Sequence, residues 1–281
     1  MASFFDRMEG EGLTESEKSI FDVFRASLQF PDAPDVLAQR LSDDIVFFCN
    51  SAEADEDPEA ILGWAWDMMF EMITYIPPHH VWQDIWVDAL KILKSRENLP
   101  ARGDNAKELS WKELPDFSMK QRENLDRYSD DYTRWTNLCS FFAKLYASGV
   151  TDTPHYVVWD LRYTLEKYDS SATVPEAKMW ISTEWIIRCA EKVLEYLKQS
   201  DEPEGETEQA FWSFGEAYAE KGKEGVGLLS VERWNLWKKW LSEKKENLSK
   251  NEGGLADPLT LARVSEALQK MNEAESKMAA F

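Results

Sequence analysis

No stretch of this 281-residue sequence is both long and apolar enough to cross a bilayer. The most apolar run, Ile61 to Ile76, is interrupted by Asp67 and Glu71 and falls short of the roughly 20 residues that a membrane helix needs. Nor does any run alternate apolar and polar residues as a half-buried strand would, and no repeat of solenoid length is present. Positive charge is scarce: 32 Lys plus Arg stand against 52 Asp plus Glu, a net charge of −20. Such a surface repels nucleic acid and anionic membranes and suits a cationic ligand or a basic protein partner. The start, MASFFDRMEGEG, lacks the basic segment and apolar run of a secretory signal. Cys49, Cys139 and Cys189 are odd in number, widely spaced and set in apolar helical patterns. They read as buried, reduced thiols of a cytoplasmic protein, not as a disulfide framework.

Signatures of chemistry are also missing. His79 and His80 are adjacent, so on a helix they diverge by ~100° and cannot share a metal. His155, next to Pro154 at a helix start, reads as a capping or surface residue. Gly222, Gly225 and Gly227 are spaced G-x-x-G-x-G with no strand before them, which is neither a dinucleotide fingerprint nor a phosphate loop. A nucleophile elbow, a paired-cysteine zinc motif and H-E-x-x-H are all absent. Asp43-Asp44 and Asp130-Asp131 lack the downstream acid with which terpene cyclases hold magnesium and diphosphate. The expectation is no metal and no cofactor, and the sequence names no reaction.

What is present is helical periodicity with caps. Thr14-Glu15-Ser16-Glu17 is a capping box opening a helix through Ile20, Phe21, Phe24 and Leu28. A second helix puts Val36, Leu37, Leu41, Ile45 and Phe48 inward. A third follows Asp57-Pro58, and Pro77-Pro78 separates it from a fourth running from about His79 to Ser95. Residues 96–117 have no sustained period and read as a long connection. Residues 200–209 are an acidic loop, and 1–13 are a frayed leader. Later come a short aromatic helix with Phe211, Trp212, Phe214 and Tyr218 and a helix capped by Ser230 that carries Trp234, Trp237 and Trp240. A last helix opens at Asp257-Pro258.

The chain is organised around Trp135 to Leu197, which holds three helical patterns. The first, with Trp135, Leu138, Cys139, Phe142 and Leu145 on one face, ends at Gly149, where a left-handed cap is expected. The second opens at Asp152-Thr153-Pro154 and is apolar on two sides, with Val157, Val158, Leu161, Leu165 and Tyr168 opposite Tyr156, Trp159 and Tyr163. It is therefore expected to lie sandwiched. The third opens with a capping box at Thr173 to Glu176. Two pairs with ion-pair spacing lie here, Arg162 with Glu166 and Glu184 with Arg188. Glu184–Arg188, beside Trp180, reads as a helix-surface pair. Arg162–Glu166 reads either as a buried pair fixing helix register or as a pair facing a cavity.

PPHHVWQDIWVDALKIL, WKELPDFSMKQREN, WTNLCSFFAKLYASGV, YVVWDLRYTLE and RWNLWKKWL together resemble a fungal helical family catalogued only as a domain of unknown function, over roughly residues 75–245. The resemblance implies a fungal source and an all-helical fold, and no reaction. Fungal arginine-containing cyclodipeptide synthases, which use charged tRNA, offer a second comparison through their D-D-x-x-E motif. The nearest string here, Asp55-Glu56-Asp57-Pro58-Glu59, departs from it at its second position. The tRNA would need a basic patch such as Lys107, Lys112, Lys120, Arg122 and Arg127 against the overall charge.

The sequence thus reads as one all-α domain, residues 1–281, of about ten helices packed around three central ones. The leading function is binding or transforming a small organic molecule of specialised metabolism, in an aromatic, partly charged pocket built from Trp135, Trp159, Arg162, Glu166, Trp180, Glu184 and Arg188. The alternatives are a protein-interaction module with an exposed Trp-bearing face, at Trp180 or Trp237, and the tRNA-dependent synthase.

Overall fold

Capping chemistry sets where the helices begin. In this computed structural model Thr14 Oγ1 accepts from Glu17 N at 3.3 Å while the Glu17 carboxylate accepts from Thr14 N at 2.9 Å, the reciprocal capping box expected at α1, Glu15–Gln29. The structure describes residues 5–6, 8, 12–51, 58–99, 108–167, 170, 174–219, 225–250 and 258–279. They form eleven α-helices and no strand, with one isolated bridge between Leu99 and Leu109. After α1 come α2 (Pro34–Asn50), α3 (Pro58–Tyr75), α4 (Val81–Lys94), α5 (Phe117–Arg127), α6 (Tyr132–Ala147), α7 (Pro154–Leu165) and α8 (Glu176–Gln199). They are followed by α9 (Glu206–Trp212), α10 (Val231–Lys250) and α11 (Pro258–Ala279), with a 3-10 turn at Glu216–Tyr218 before α10. The fold is all-α.

The helices pack as two compact units, residues 1–151 and 152–281. In the first, α3 packs against α2, α5 and α6, and α4 against α2 and α6. Rings fill the space between them: Phe24 meets Trp86 edge-on at 5.0 Å, and Trp66 meets Phe117 at 5.1 Å. Each fully buried large apolar side chain contributes about 1.5–3 kcal/mol. The corner forced by Pro77-Pro78 frees backbone carbonyls at the end of α3, and side chains from other helices satisfy them. Asn137 Nδ2 donates to Thr74 O at 2.7 Å, and Gln83 Nε2 donates to Ile76 O at 2.9 Å. Arg134 pairs with Glu71 while lying over the rings of Tyr75 and Tyr128.

In the second unit α8 packs against α7, α10 and α11. Its buried residues therefore run round the helix, from Met179 through Ile181 to Ile186 and on to Leu197. The triplet of helices expected at the centre is shared out, with α6 in the first unit and α7 and α8 in the second. All three cysteines are buried thiols, and none is in a disulfide. No helix among the described residues is long and apolar enough to cross a membrane.

Several local expectations need correction. The fourth helix begins at Val81, not His79, with His80 as its N-cap: His80 Nδ1 accepts from Trp82 N at 3.3 Å. Thr153 stands at the N-cap of α7 without a side-chain cap bond, and Pro154 occupies the first helical position. The first residue of α8 is Glu176, and Pro175 at its N-cap makes no side-chain cap bond; the capping box expected from Thr173 falls on a residue outside the described ones. The acidic loop is shorter than 200–209, because α9 begins at Glu206. Val36, expected inward, is exposed, and so is Tyr163, so the second flank of α7 is only partly covered. Within the stretch expected to fray, Phe5 and Met8 are fully buried, and Phe5 stacks on Trp82 at 5.5 Å. The acidic string Asp55 to Asp57, Lys107, Tyr168, Thr173, Gly222 and Asp257 lie outside the described residues.

Candidate functional site

Glu166 and Arg233 sit at the wrong ends of their helices. Glu166 is the C-cap of α7, where the helix dipole disfavours a carboxylate, and Arg233 lies in the first turn of α10, where it disfavours a guanidinium. Each is stabilised by the other. Arg233 Nε donates to Glu166 Oε1 at 2.7 Å and Nη2 to Oε2 at 3.0 Å, a bidentate pair with both side chains 0% exposed. Ser230 Oγ accepts from Arg233 N at 3.2 Å and so fixes the turn that aims it. The Phe214 ring lies 4.5 Å from the guanidinium carbon.

The remaining capacity of this pair grips the segment between α9 and α10. Arg233 Nη1 donates to Trp212 O at 2.7 Å and Leu228 O at 2.8 Å, and Nη2 donates to Ser213 O at 3.2 Å. All five guanidinium N–H groups are thereby used. Glu166 accepts further from Trp237 Nε1 at 2.7 Å and Gly215 N at 2.8 Å, and its carbonyl accepts from Ala217 N at 2.8 Å. A Cβ at residue 215 would stand 2.6 Å from Glu166 O, so the close approach requires glycine.

Arg162 does not pair with Glu166. Its Nη1 lies 3.2 Å from Phe211 O, 3.2 Å from Ser213 O and 3.3 Å from Ser213 Oγ, and Trp159 Nε1 donates to the same Phe211 carbonyl at 3.2 Å. The spacing of four residues placed the two charges on one turn, but Glu166 is reached by a bidentate partner from α10. Both arginines thus fasten one strap, residues 211–218. Phe211 itself packs edge-on against Trp159 at 4.7 Å and lies 5.9 Å from His155, which joins this ring cluster.

The strap forms one wall of an open cleft of about 1070 Å³. Tyr196, Phe211 and Trp212 contribute its rings, Asp201, Glu202, Glu204 and Glu208 its carboxylates, and Leu229 part of its floor. Among the described lining residues there is no lysine, arginine or histidine. The Trp212 ring lies 4.9 Å from Phe211 and 5.9 Å from Tyr196, so the rings make a continuous surface. Burial pushes the Tyr196 hydroxyl above its ordinary value, which keeps it neutral and able to donate.

The other sequence candidates stand elsewhere. Glu184 and Arg188 do pair, but Glu184 is buried and shared with Arg263 of α11 at 2.7 Å. The surface-pair reading fails because α8 is covered on several sides at this level. Burial pushes the Glu184 carboxyl up, but the two guanidiniums outweigh it and hold the group below its ordinary value. Arg263 also lies 4.2 Å from the centre of the Trp180 ring. An exposed Trp face at Trp237 is excluded, since that residue is fully buried. Trp135 is on α6 in the first unit, its ring tilted against Tyr132 at 6.4 Å. Of the basic patch weighed for tRNA, Lys120 is neutralised by Asp67 and Glu123. No group of three or more metal-binding side chains occurs among the described residues.

Sequence reasoning missed Arg233, Tyr196 and the strap residues as members of one site. Arg233 had a signal: with Trp237, Trp240 and Lys244 it falls at helical spacing on the buried stripe of α10. A charge on such a stripe requires a buried partner.

The family model described as Protein of unknown function (DUF3632) matches residues 66–241, more than half of the chain. No curated protein and no solved structure matches.

Proposed function

We propose, for a chain that belongs to the DUF3632 family of proteins of unknown function, that its second unit binds a small organic cation in the cleft between the strap and the loop after α8. The observation that carries this is the lining: three aromatic rings and four carboxylates, with no cationic side chain among the described lining residues. Ring faces and carboxylates both attract an organic cation, and a guanidinium or ammonium with a hydrocarbon body would satisfy both surfaces. The buried Glu166–Arg233 pair supports the reading because it fixes the ring-bearing wall before any ligand arrives, which lowers the ordering cost of binding.

Calorimetric titration with agmatine, which carries a guanidinium and an ammonium, tests the proposal. Saturable binding that weakens as salt is raised and is lost in Glu204→Gln/Glu208→Gln and in Trp212→Ala is expected. Absence of binding by both agmatine and choline at low salt would overturn it.

A further inference from the structure

We infer that Glu202 is the latch that fixes the second wall of this cleft, and that residue 227 is glycine because the latch needs its space; this rests on the cleft reading above. Of the four carboxylates in the lining, Glu202 is the one tied, among the described residues, across to the segment that enters α10. Its Oε2 accepts from Leu228 N at 2.8 Å and its Oε1 from Leu229 N at 3.2 Å. The carbonyl of Leu228 is held from the other side by Arg233 Nη1. Leu228 is therefore gripped at both of its backbone polar atoms, one from the α8–α9 loop and one from the Glu166–Arg233 pair. Leu229, next in sequence, is buried and lines the cleft. Among the described residues Asp201, Glu204 and Glu208 make no such cross-connection; Glu208 Oε2 accepts only from the nearby Glu204 N, at 3.3 Å. We therefore read these three as the ligand-facing charges and Glu202 as a positioning residue.

Gly227 supplies an independent observation. A methyl group there would stand 2.9 Å from Glu202 Cδ and 3.1 Å from Ser230 Cβ. Its φ is not in the left-handed region, so alanine is acceptable to the backbone. The large movement falls on the end of a flexible side chain, the Glu202 carboxylate, while Ser230 Cβ must give by only a few tenths of an ångström. Gly227→Ala is thus an uncharged substitution that opens the latch while leaving Glu202 in place.

The experiment compares Gly227→Ala, Glu202→Ala and the double variant by amide hydrogen exchange at Leu228 and Leu229 and by agmatine titration. Each single substitution removes charge-assisted hydrogen bonds, so exchange at both amides should accelerate by about tenfold or more, with no further gain in the double variant. Agmatine affinity should fall in both single variants. Wild-type exchange rates in Gly227→Ala, or additive effects in the double variant, would overturn the latch. So would an affinity loss confined to Glu202→Ala, which would make Glu202 a ligand contact. If wild-type protein shows the latch pattern in exchange but takes up neither agmatine nor choline, the latch stands and the cation reading falls.

Discussion

Glu166 and Arg233, 67 residues apart, form a fully buried bidentate ion pair in which every guanidinium N–H and both carboxylate oxygens are engaged within the protein. Removing one partner leaves a buried charge uncompensated. Arg233→Met should therefore lower the stability of the second unit by about 3–5 kcal/mol, read from urea denaturation followed by tryptophan fluorescence. Glu166→Met/Arg233→Met should cost less than the sum of the single changes, because no lone charge remains; the residual loss belongs to the orphaned peptide groups of the strap. A loss below about 1 kcal/mol in Arg233→Met would mean that water reaches the pair.

Arg162→Met tests a weaker attachment. Arg162 is half-buried and holds carbonyls, not a carboxylate. A drop of about 1 kcal/mol, with faster amide exchange confined to the strap, is expected. A drop as large as that of Arg233→Met would put Arg162 inside the buried pair after all.

Asp160 gives a pH dependence of definite sign. It is buried between α7 and α8, and its Oδ2 accepts from Trp185 Nε1 at 2.6 Å. Burial pushes its carboxyl up from 3.8 to about 7, only partly offset by the Trp185 bond and the charge of Lys178. The unfolded chain ionises this group near 3.8 and the folded one near 7, so the folded state binds the extra proton across that window. Its contribution to stability is greatest below the window, declines as pH rises through it, and is constant above. Asp160→Asn keeps an acceptor for Trp185 and removes the titration. The stability of that variant relative to wild type should rise from pH 4 to pH 7 and then level off, measured by urea midpoints. A difference independent of pH would show that Asp160 does not titrate in that range.

Local signals carried the helices well and the site poorly. Thr14 with Glu17, Gly149 with φ of 76°, and the cap at Ser230 are decided within one turn of chain, and residue type there is enough. The same local logic failed for Arg162 and Glu166, because four-residue spacing says which side chains share a face and nothing about a guanidinium arriving from α10. Glu184 misled for a related reason. Its helix is covered by α7, α10 and α11, so amphipathic reasoning, which assumes one solvated face, does not apply there. The rings at Phe211 and Trp212 were visible as a cluster. Their role as a wall depends on hydrogen bonds to backbone carbonyls, and any residue type supplies a carbonyl.

The five acceptors of Arg233 come from α7, from the end of α9 and its strap, and from the turn before α10. No two of these pieces can complete the set without the third. During folding the fastening consequently closes only after all three have been brought together over long sequence separations, the slow kind of contact. The ring-bearing wall is complete only once this fastening has closed, so the proposed cation uptake, followed during refolding, should lag behind the return of helical signal.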